Sequence, residues 1–287
     1  MADKHIDEIS GVETTGHEWD GIRELNNPMP RWWVWTFYAT VVWALGYTVL
    51  YPAWPLVNDA TRGVLGYSSR GELRTEMAAA KEAQGAILER IAQATPEEIL
   101  ANPELSQFAM AGGAAAFRVN CTPCHGSGAA GGEGYPNLND DDWLWGGSID
   151  AIYQTVAHGI RDAVDPDTRI GEMTAFADVI EPDEIRQAAA YVVSLTGKPR
   201  DPSMVEPGKQ VFMDNCASCH GENAEGIRDL GAPNLADAIW LKVQGEDQIV
   251  SQIRAPKHGV MPAWGTRLGD VTVKQLAVYV HSLGGGE

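Results

Sequence analysis

The chain has few basic residues for its length, and this shortage excludes several classes of protein. Its 287 residues include 21 lysines and arginines against 39 aspartates and glutamates, which gives a formal net charge of -18. This balance argues against binding to nucleic acid and against adsorption to an anionic membrane surface, and it favours a basic partner. The chain also lacks runs of alternating apolar and polar residues, so we expect an all-α fold.

Cysteine is scarce too, and every cysteine lies in a repeated motif. The chain has four cysteines, in two copies of Cys-x-x-Cys-His within residues 120–125 and 215–220. This motif attaches a c-type haem, because each thiol can add to a haem vinyl group and the adjacent histidine can ligate the iron. We therefore predict two covalently bound c-type haems. The attachment residues and proximal ligands are Cys121, Cys124, Cys216, Cys219, His125 and His220.

Two other interpretations of the cysteine pairs fit less well. The paired cysteines of a zinc site normally lie about 15–20 residues apart, which is much closer than the two pairs here. A redox disulfide would not need the histidine in either copy. No cysteine is left over for a structural disulfide. Bacterial c-type haems are assembled after export, so we expect both motifs to lie outside the cytoplasm.

An acidic tail and one long uncharged segment begin the chain. Residues 1–31 show little apolar periodicity, which predicts a weakly ordered tail and does not fit a cleavable signal. Residues 32–51 carry no charge and have aromatic side chains crowded at both ends. A helix of this length spans about 30 Å, the thickness of the bilayer hydrocarbon. We predict a lipid-embedded anchor over 32–52 in the bacterial inner membrane, with the N-terminus cytoplasmic and the haem motifs periplasmic.

Residues 53–104 form a predicted helical spacer. Residues 72–94 are rich in alanine, glutamate and leucine, which favour helix. Thr95 and Pro96 then supply a helix cap and a proline at the first helical position. The segment either holds the haem domains away from the membrane or takes part in docking.

The remainder of the chain is an internal repeat. Gly113 and Phe117 precede the first haem motif at the same spacing as Gly208 and Phe212 precede the second. Residues four apart share one helical face, and the small glycine permits close helix contact. We predict two tandem class I cytochrome c-like domains joined by a proline-bearing linker. The predicted ranges are 105–197 for the first domain, 198–205 for the linker and 206–287 for the second domain.

Each haem iron needs a second axial ligand, and each copy of the repeat contains a suitable methionine. Met173 and Met261 both lie in loops before the last helix of their copy, and both are followed by x-Ala-aromatic. We predict Met173 for the first haem and Met261 for the second, because histidine–methionine ligation leaves no open position and suits electron transfer. The repeated histidines are the rival ligands, although contact with the haem edge is their favoured role. Candidate haem-edge residues are His158, His258, Trp143 and Trp240.

A family resemblance rests on the segment before the anchor. Residues 19–33 read Trp-Asp-Gly-Ile-Arg-Glu-Leu-Asn-Asn-Pro-Met-Pro-Arg-Trp-Trp. This segment, followed by one anchor and two haem motifs, resembles the CcoP family, the dihaem subunit of cbb3-type cytochrome c oxidases. The resemblance implies a subunit that takes electrons from a soluble or anchored cytochrome c. It implies partners as well: a monohaem c subunit and a haem–copper catalytic subunit, where oxygen is reduced, so the chain would not itself be the enzyme.

Charge differs between the two predicted haem domains. The first is strongly acidic and the second is nearly balanced. We interpret an acidic run in the first domain as a docking surface for a basic cytochrome, although such a run is usually only a solvated face. The run comprises Asp140, Asp141 and Asp142. Two alternatives stay open: a free-standing dihaem carrier, and a dihaem peroxidase, which would need one haem with an open position.

Overall fold

Helices make up nearly all of the regular structure. The computed structural model describes residues 5–287, and among these residues a single two-stranded sheet accompanies the helices. The predicted all-α fold with one amino-terminal apolar helix is confirmed apart from that sheet. The chain divides after Ala83 into two compact units.

The sheet belongs to the first unit and corrects the prediction of a weakly ordered tail. β1 (Thr14–Trp19) pairs antiparallel with β2 (Ile22–Leu25). Asp20 and Gly21 join the strands with φ angles of 50° and 84°, and a two-residue hairpin turn of type I′ needs positive φ at both positions. The Asp-Gly dipeptide is the sequence signal that the prediction missed. The first four residues of the predicted tail lie outside the described residues.

One long apolar helix follows the sheet. α1 covers Arg31–Leu50, begins after Pro30 and ends at Tyr51, which is extended. Its most apolar stretch of 18 residues has a mean hydropathy of 1.3, and none of the residues of α1 is buried within the protein. Among the residues that the structure describes, it is the one helix long and apolar enough to cross a membrane. It corresponds closely to the anchor predicted over 32–52.

The other helices follow α1: the first of them crosses the boundary after Ala83, and the rest lie in the second unit. They are α2 (Ser69–Gln93), α3 (Pro96–Ala101), α4 (Pro103–Asn120), α5 (Thr122–His125), α6 (Ile149–His158), α7 (Pro182–Thr196), α8 (Val205–Asn215), α9 (Ala217–His220), α10 (Glu246–Arg254), α11 (Gly265–Leu268) and α12 (Asp270–His281). Short 3₁₀ turns occupy Pro202–Met204 and Arg228–Leu230.

Part of the predicted spacer belongs to the core of the second unit. Ile91 and Ile99 are fully buried. α3 begins as the sequence predicts, because the side chain of Thr95 accepts from the backbone N–H of Glu98 and the Glu98 carboxylate accepts from the N–H of Thr95. This reciprocal capping fixes the start of the helix. Residues 84–104 therefore do more than separate the haem domains from the membrane.

The second unit contains two helical bundles, and each combines helices from both copies of the repeat. In the first bundle α4 packs on α12, with α3 and α6 beside them. In the second bundle α8 packs on α7, with α10 beside them. The ring of Phe117 lies 5.4 Å from that of Tyr279, and the ring of Phe212 lies 5.2 Å from that of Tyr191. Each of these pairs joins one repeat to the other.

The contiguous ranges 105–197 and 206–287 therefore do not coincide with the two bundles. The connection between α7 and α8 is short, and consecutive helices joined by a short connection usually pack together as a hairpin. α7 is thereby held on α8, and α4 packs instead on the last helix of the chain. The chain crosses between the bundles in residues 159–172 and again in residues 255–260. We refer to these stretches as the first and second crossing segments.

Candidate haem sites

Each Cys-x-x-Cys-His motif begins at the end of a long helix and continues into a single helical turn. Cys121 follows α4 and Cys216 follows α8, and both are half-buried. Burial raises the pKa of each of these two thiols to about 11, and the neighbouring cysteine adds to the effect. Cys124 and Cys219, the second thiols of the motifs, are exposed. The inner thiol of each pair is therefore protonated at neutral pH. Since only the thiolate is strongly nucleophilic, this thiol is a weak nucleophile at that pH.

The two motif histidines have the same hydrogen-bond partner in each bundle. Nδ1 of His125 lies 3.1 Å from the carbonyl oxygen of Pro136, and Nδ1 of His220 lies 3.1 Å from that of Pro233. A carbonyl only accepts, so Nδ1 must carry the proton and Nε2 keeps its lone pair. Burial lowers the pKa of both histidines, against a smaller opposing effect of the carbonyl. Both rings are therefore neutral and oriented, with a free Nε2 lone pair that could ligate a metal.

The structure places each candidate methionine in the bundle opposite to the one expected from the repeat. Met261 packs against the core of the first bundle, as does Cys121. Met173 packs against the core of the second bundle, as does Cys216. Hence the expected pairing of Met173 with the first haem motif, and of Met261 with the second, does not match the packing.

Backbone hydrogen bonds hold both methionine segments in these positions. Ile160, which follows α6, donates to the carbonyl of Met261 at 2.9 Å and accepts from its N–H at 3.0 Å. The N–H of Phe176, three residues after Met173, donates to the carbonyl of Ile253 at 3.0 Å, at the end of α10. One segment is thus tied to α6 of the first bundle and the other to α10 of the second.

The candidate haem-edge residues lie in different surroundings. Nδ1 of His158 contacts the carboxylate of Asp165 at 3.1 Å, whereas His258 is exposed on the second crossing segment. The indole N–H of Trp143 donates to the carbonyl of Gly285. Trp240 packs at the edge of the second core. The indole of Trp143 thus already has a partner in the protein.

Two further donors of the second unit are buried. Nε1 of Trp145 and Nε of Arg169 are buried without a hydrogen-bond acceptor among the described residues. The guanidinium carbon of Arg169 lies 5.1 Å from the centre of the Trp145 ring. Buried donors of this kind normally have an acceptor, and a carboxylate such as a haem propionate would fit both. No sequence motif marks Trp145 or Arg169.

The acidic run lies beside other charged groups. Partial desolvation raises the pKa of Asp142, and the charges of Asp237 and Asp140 raise it further. Arg228 acts in the opposite direction and forms an ion pair of 2.6 Å with Glu287. The surface around Asp140, Asp141 and Asp142 therefore remains predominantly negative.

Comparisons with known proteins cover most of the chain. Residues 11–58 match the family model described as the N-terminal domain of cytochrome oxidase-cbb3, FixP. Residues 108–192 and 203–280 each match that of cytochrome C oxidase, cbb3-type, subunit III. The chain is 66% identical over 289 residues to the cbb3-type cytochrome c oxidase subunit FixP of Rhizobium meliloti (strain 1021), with all of both chains covered. It is 50% identical over 276 residues to subunit CcoP of Cereibacter sphaeroides, covering 96% of this chain and 95% of that protein.

Proposed function

Because the chain belongs to the CcoP/FixP family of cbb3-type cytochrome c oxidase subunits, we propose a route by which it conducts electrons within that complex. It is an electron-transfer subunit with c-type haem domains, part of a membrane-bound oxidoreductase complex.

The chain holds two haems, and their axial ligands come from both copies of the repeat. Cys121 and Cys124 attach the first haem, and its iron is ligated by His125 and Met261. The second haem is attached at the other motif, with its own histidine and methionine. The residues of the second site are Cys216, Cys219, His220 and Met173. The observation that carries this assignment is the packing of each methionine against the core that contains the opposite repeat's motif.

Two features support haem at these sites. Each proximal histidine has its Nδ1 proton bound to a proline carbonyl, which leaves Nε2 free. Trp145 and Arg169 also offer buried donors that a propionate can accept from. When bound, each haem supplies a reversible one-electron centre. A histidine–methionine pair fills both axial positions, so both haems transfer electrons and neither binds a substrate. Reduction of oxygen then occurs in the haem–copper partner subunit.

The orientation that we propose for this route follows from one membrane helix together with the export of the haem motifs. α1 has no acidic, basic or histidine residue after Arg31, so it offers no charged ligand inside the bilayer. Covalent haem attachment requires export, which puts the two bundles in the periplasm and the N-terminus in the cytoplasm. Lipid surrounds α1, and electrons pass from a periplasmic cytochrome c through the bundles towards the monohaem subunit.

The donor approaches through the acidic surface of the first bundle. A basic cytochrome is attracted by Asp140, Asp141 and Asp142, and this attraction raises the rate of encounter more than the affinity. Because the donor is attracted to the first bundle, the haem of that bundle accepts the electron first.

Gentle detergent purification tests this function. The purified complex should contain two c-type haems for each copy of this chain, measured by pyridine haemochrome spectra after the chain is separated by gel. It should also contain a haem–copper subunit. The oxidised chain should show the weak absorption band that reports iron–methionine bonds. A single haem, or complete absence of the band, would contradict the proposal.

A further inference from the structure

The two crossing segments meet at one place in the second unit. The N–H of Arg161 donates to the carbonyl of Arg169 at 2.7 Å, and Ile160 exchanges hydrogen bonds with Met261. Gly159 has a φ of 71°, and a Cβ there would overlap the carbonyl of Met261. Residues 160 and 161 therefore form backbone hydrogen bonds both with Arg169, ahead of Met173, and with Met261 itself.

The side chain of Arg161 joins these two segments. Its Nε donates to the carbonyl of Gly259 at 2.6 Å, and its Nη1 donates to the carbonyl of Gly171. Gly259 is two residues before Met261, and Gly171 is two residues before Met173. One planar guanidinium thus binds the backbone beside both candidate iron ligands, with the fixed fork geometry that arginine provides.

The backbone at Arg161 is itself unusual. Its φ is 53°, in the left-handed region that residues with a Cβ rarely adopt. Such a conformation persists only where the surroundings hold it, and it often occurs at functional sites. Here it directs the backbone to Arg169 and the side chain to both glycine carbonyls.

Another cation lies at the same crossing. Nζ of Lys242 donates to the carbonyl of Lys257 at 2.9 Å, on the second crossing segment.

Desolvation lowers the pKa of Arg161, while Glu172 opposes this effect. Guanidinium nevertheless remains charged at any ordinary pH. Its two hydrogen bonds to carbonyls are therefore charge-assisted and stronger than neutral ones.

We propose that Arg161 is a positioning residue for both methionine ligands, so that its loss weakens the iron–methionine bond at both haems together. This inference rests on the proposed ligand set. The methionine ligand of each haem lies on a segment whose backbone is held in place by the side chain of Arg161. The two iron sites, which lie in separate bundles, thus share one structural support.

Displacement of methionine by cyanide in the purified oxidised complex tests the proposal. The variants are Arg161→Gln and Arg161→Lys, with Arg186→Gln as control because Arg186 is exposed on α7 and its ion pair is with Asp183 of the same helix. Cyanide replaces a methionine ligand only after the iron–sulfur bond opens. We expect Arg161→Gln to speed displacement about tenfold at both haems, the scale of one lost charged hydrogen bond. Lysine keeps the charge but not the fork, so Arg161→Lys should be intermediate, and the control should match the wild type.

Several results would overturn the proposal. Faster displacement at one haem only would confine Arg161 to one site. Unchanged rates with a lower reduction potential would assign Arg161 to a haem propionate instead. Should Arg161→Gln fail to assemble, unchanged rates in Arg161→Lys would be decisive against the shared support. Separately, Met173→Ala and Met261→Ala must each remove about half of the iron–methionine band, one bond of the two. If they do not, the ligand set itself is wrong, whatever Arg161 does.

Discussion

The two bundles have the same geometry at the Cys-x-x-Cys-His motif but different structural support. In both, a glycine and a phenylalanine precede the motif on one helix, and the motif histidine donates to a proline carbonyl. The first bundle is additionally covered by the end of α2 and by α3, which bury Ile91 and Ile99 completely. The second bundle is built around the α7–α8 pair and the short α10. Local sequence fixes the attachment site, whereas the surrounding chain decides which helices support it.

The comparison also explains why the repeats exchange their last helices. Both first helices present a small glycine to the partner helix, so either last helix can pack on either first helix. A Cβ at Gly113 would overlap the carbonyl of Gln275, and a Cβ at Gly208 would overlap that of Gln187. The short connection from α7 to α8 then selects one of the two arrangements, because the loop entropy to be overcome is smaller for a near neighbour.

The largest effect is expected from substitution of the two methionines, because each one packs in the bundle that contains the other repeat's haem motif. In a chain that carries only the first haem, through Cys216→Ala and Cys219→Ala, Met261→Ala should abolish the iron–methionine band. Met173→Ala in the same chain should leave that band in place, because Met173 packs in the other bundle. Absorption spectra of the oxidised protein measure both outcomes. The reverse pattern would restore the pairing within each contiguous repeat and refute the exchange.

The next largest effect is expected on stability, where a glycine lets two helices pack closely. Gly113→Ala and Gly208→Ala should each lower the free energy of unfolding by about 1–3 kcal/mol, since the added methyl group must displace a backbone carbonyl. Thermal denaturation followed by the Soret band measures the loss.

Gly85→Ala is the matched control for both glycine variants. Gly85 lies in α2 with nothing within 4 Å of an added Cβ, so alanine there should be neutral or stabilising. Equal destabilisation by all three substitutions would show that helix crossing is not the cause.

Lys274 gives a smaller effect that is specific to the first bundle. Its Nζ donates to the carbonyl of Ala92 at 2.9 Å and contacts Asp270 at 2.8 Å, so it ties the end of α2 to α12. Lys274→Met keeps most of the apolar contact but removes these bonds, and it should cost about 1–2 kcal/mol of unfolding free energy. Lys209→Met, at an exposed position of α8, should change little. If the two variants behave alike, the α2 contact does not stabilise the first bundle.

Short-range patterns made much of the site predictable. The haem motifs, the anchor helix and both candidate methionines are visible in the sequence because their signals lie within a few residues. The partner of each methionine is not visible, since it depends on packing between α4 and α12, far apart in the chain. Arg161 likewise has no motif, because its function is defined by two carbonyls that only the folded chain brings together. The Asp20–Gly21 turn was readable and was missed.

Charge around the first bundle gives the smallest predicted effect, and it depends on salt and pH. Asp140→Asn, Asp141→Asn and Asp142→Asn together should slow reduction by a basic cytochrome by at most about tenfold at low ionic strength. The difference should vanish towards 0.5 M salt, because screening acts beyond about 10 Å at 0.1 M. The pKa of Asp142 is raised, so this carboxyl becomes neutral at a higher pH than an ordinary aspartate. The wild-type rate should therefore fall as the pH drops through the acidic range, and the triple variant should fall less.

A charge-matched variant decides whether this surface is specific. Glu206→Gln, Asp214→Asn and Glu222→Gln remove the same number of exposed charges from the α8 and α9 region of the second bundle. Stopped-flow reduction rates compare the two triple variants at several salt concentrations. Slower reduction by both to the same extent would indicate attraction by the overall negative charge. Slower reduction by the first alone would indicate that the donor docks on the first bundle, whose haem then receives the electron first.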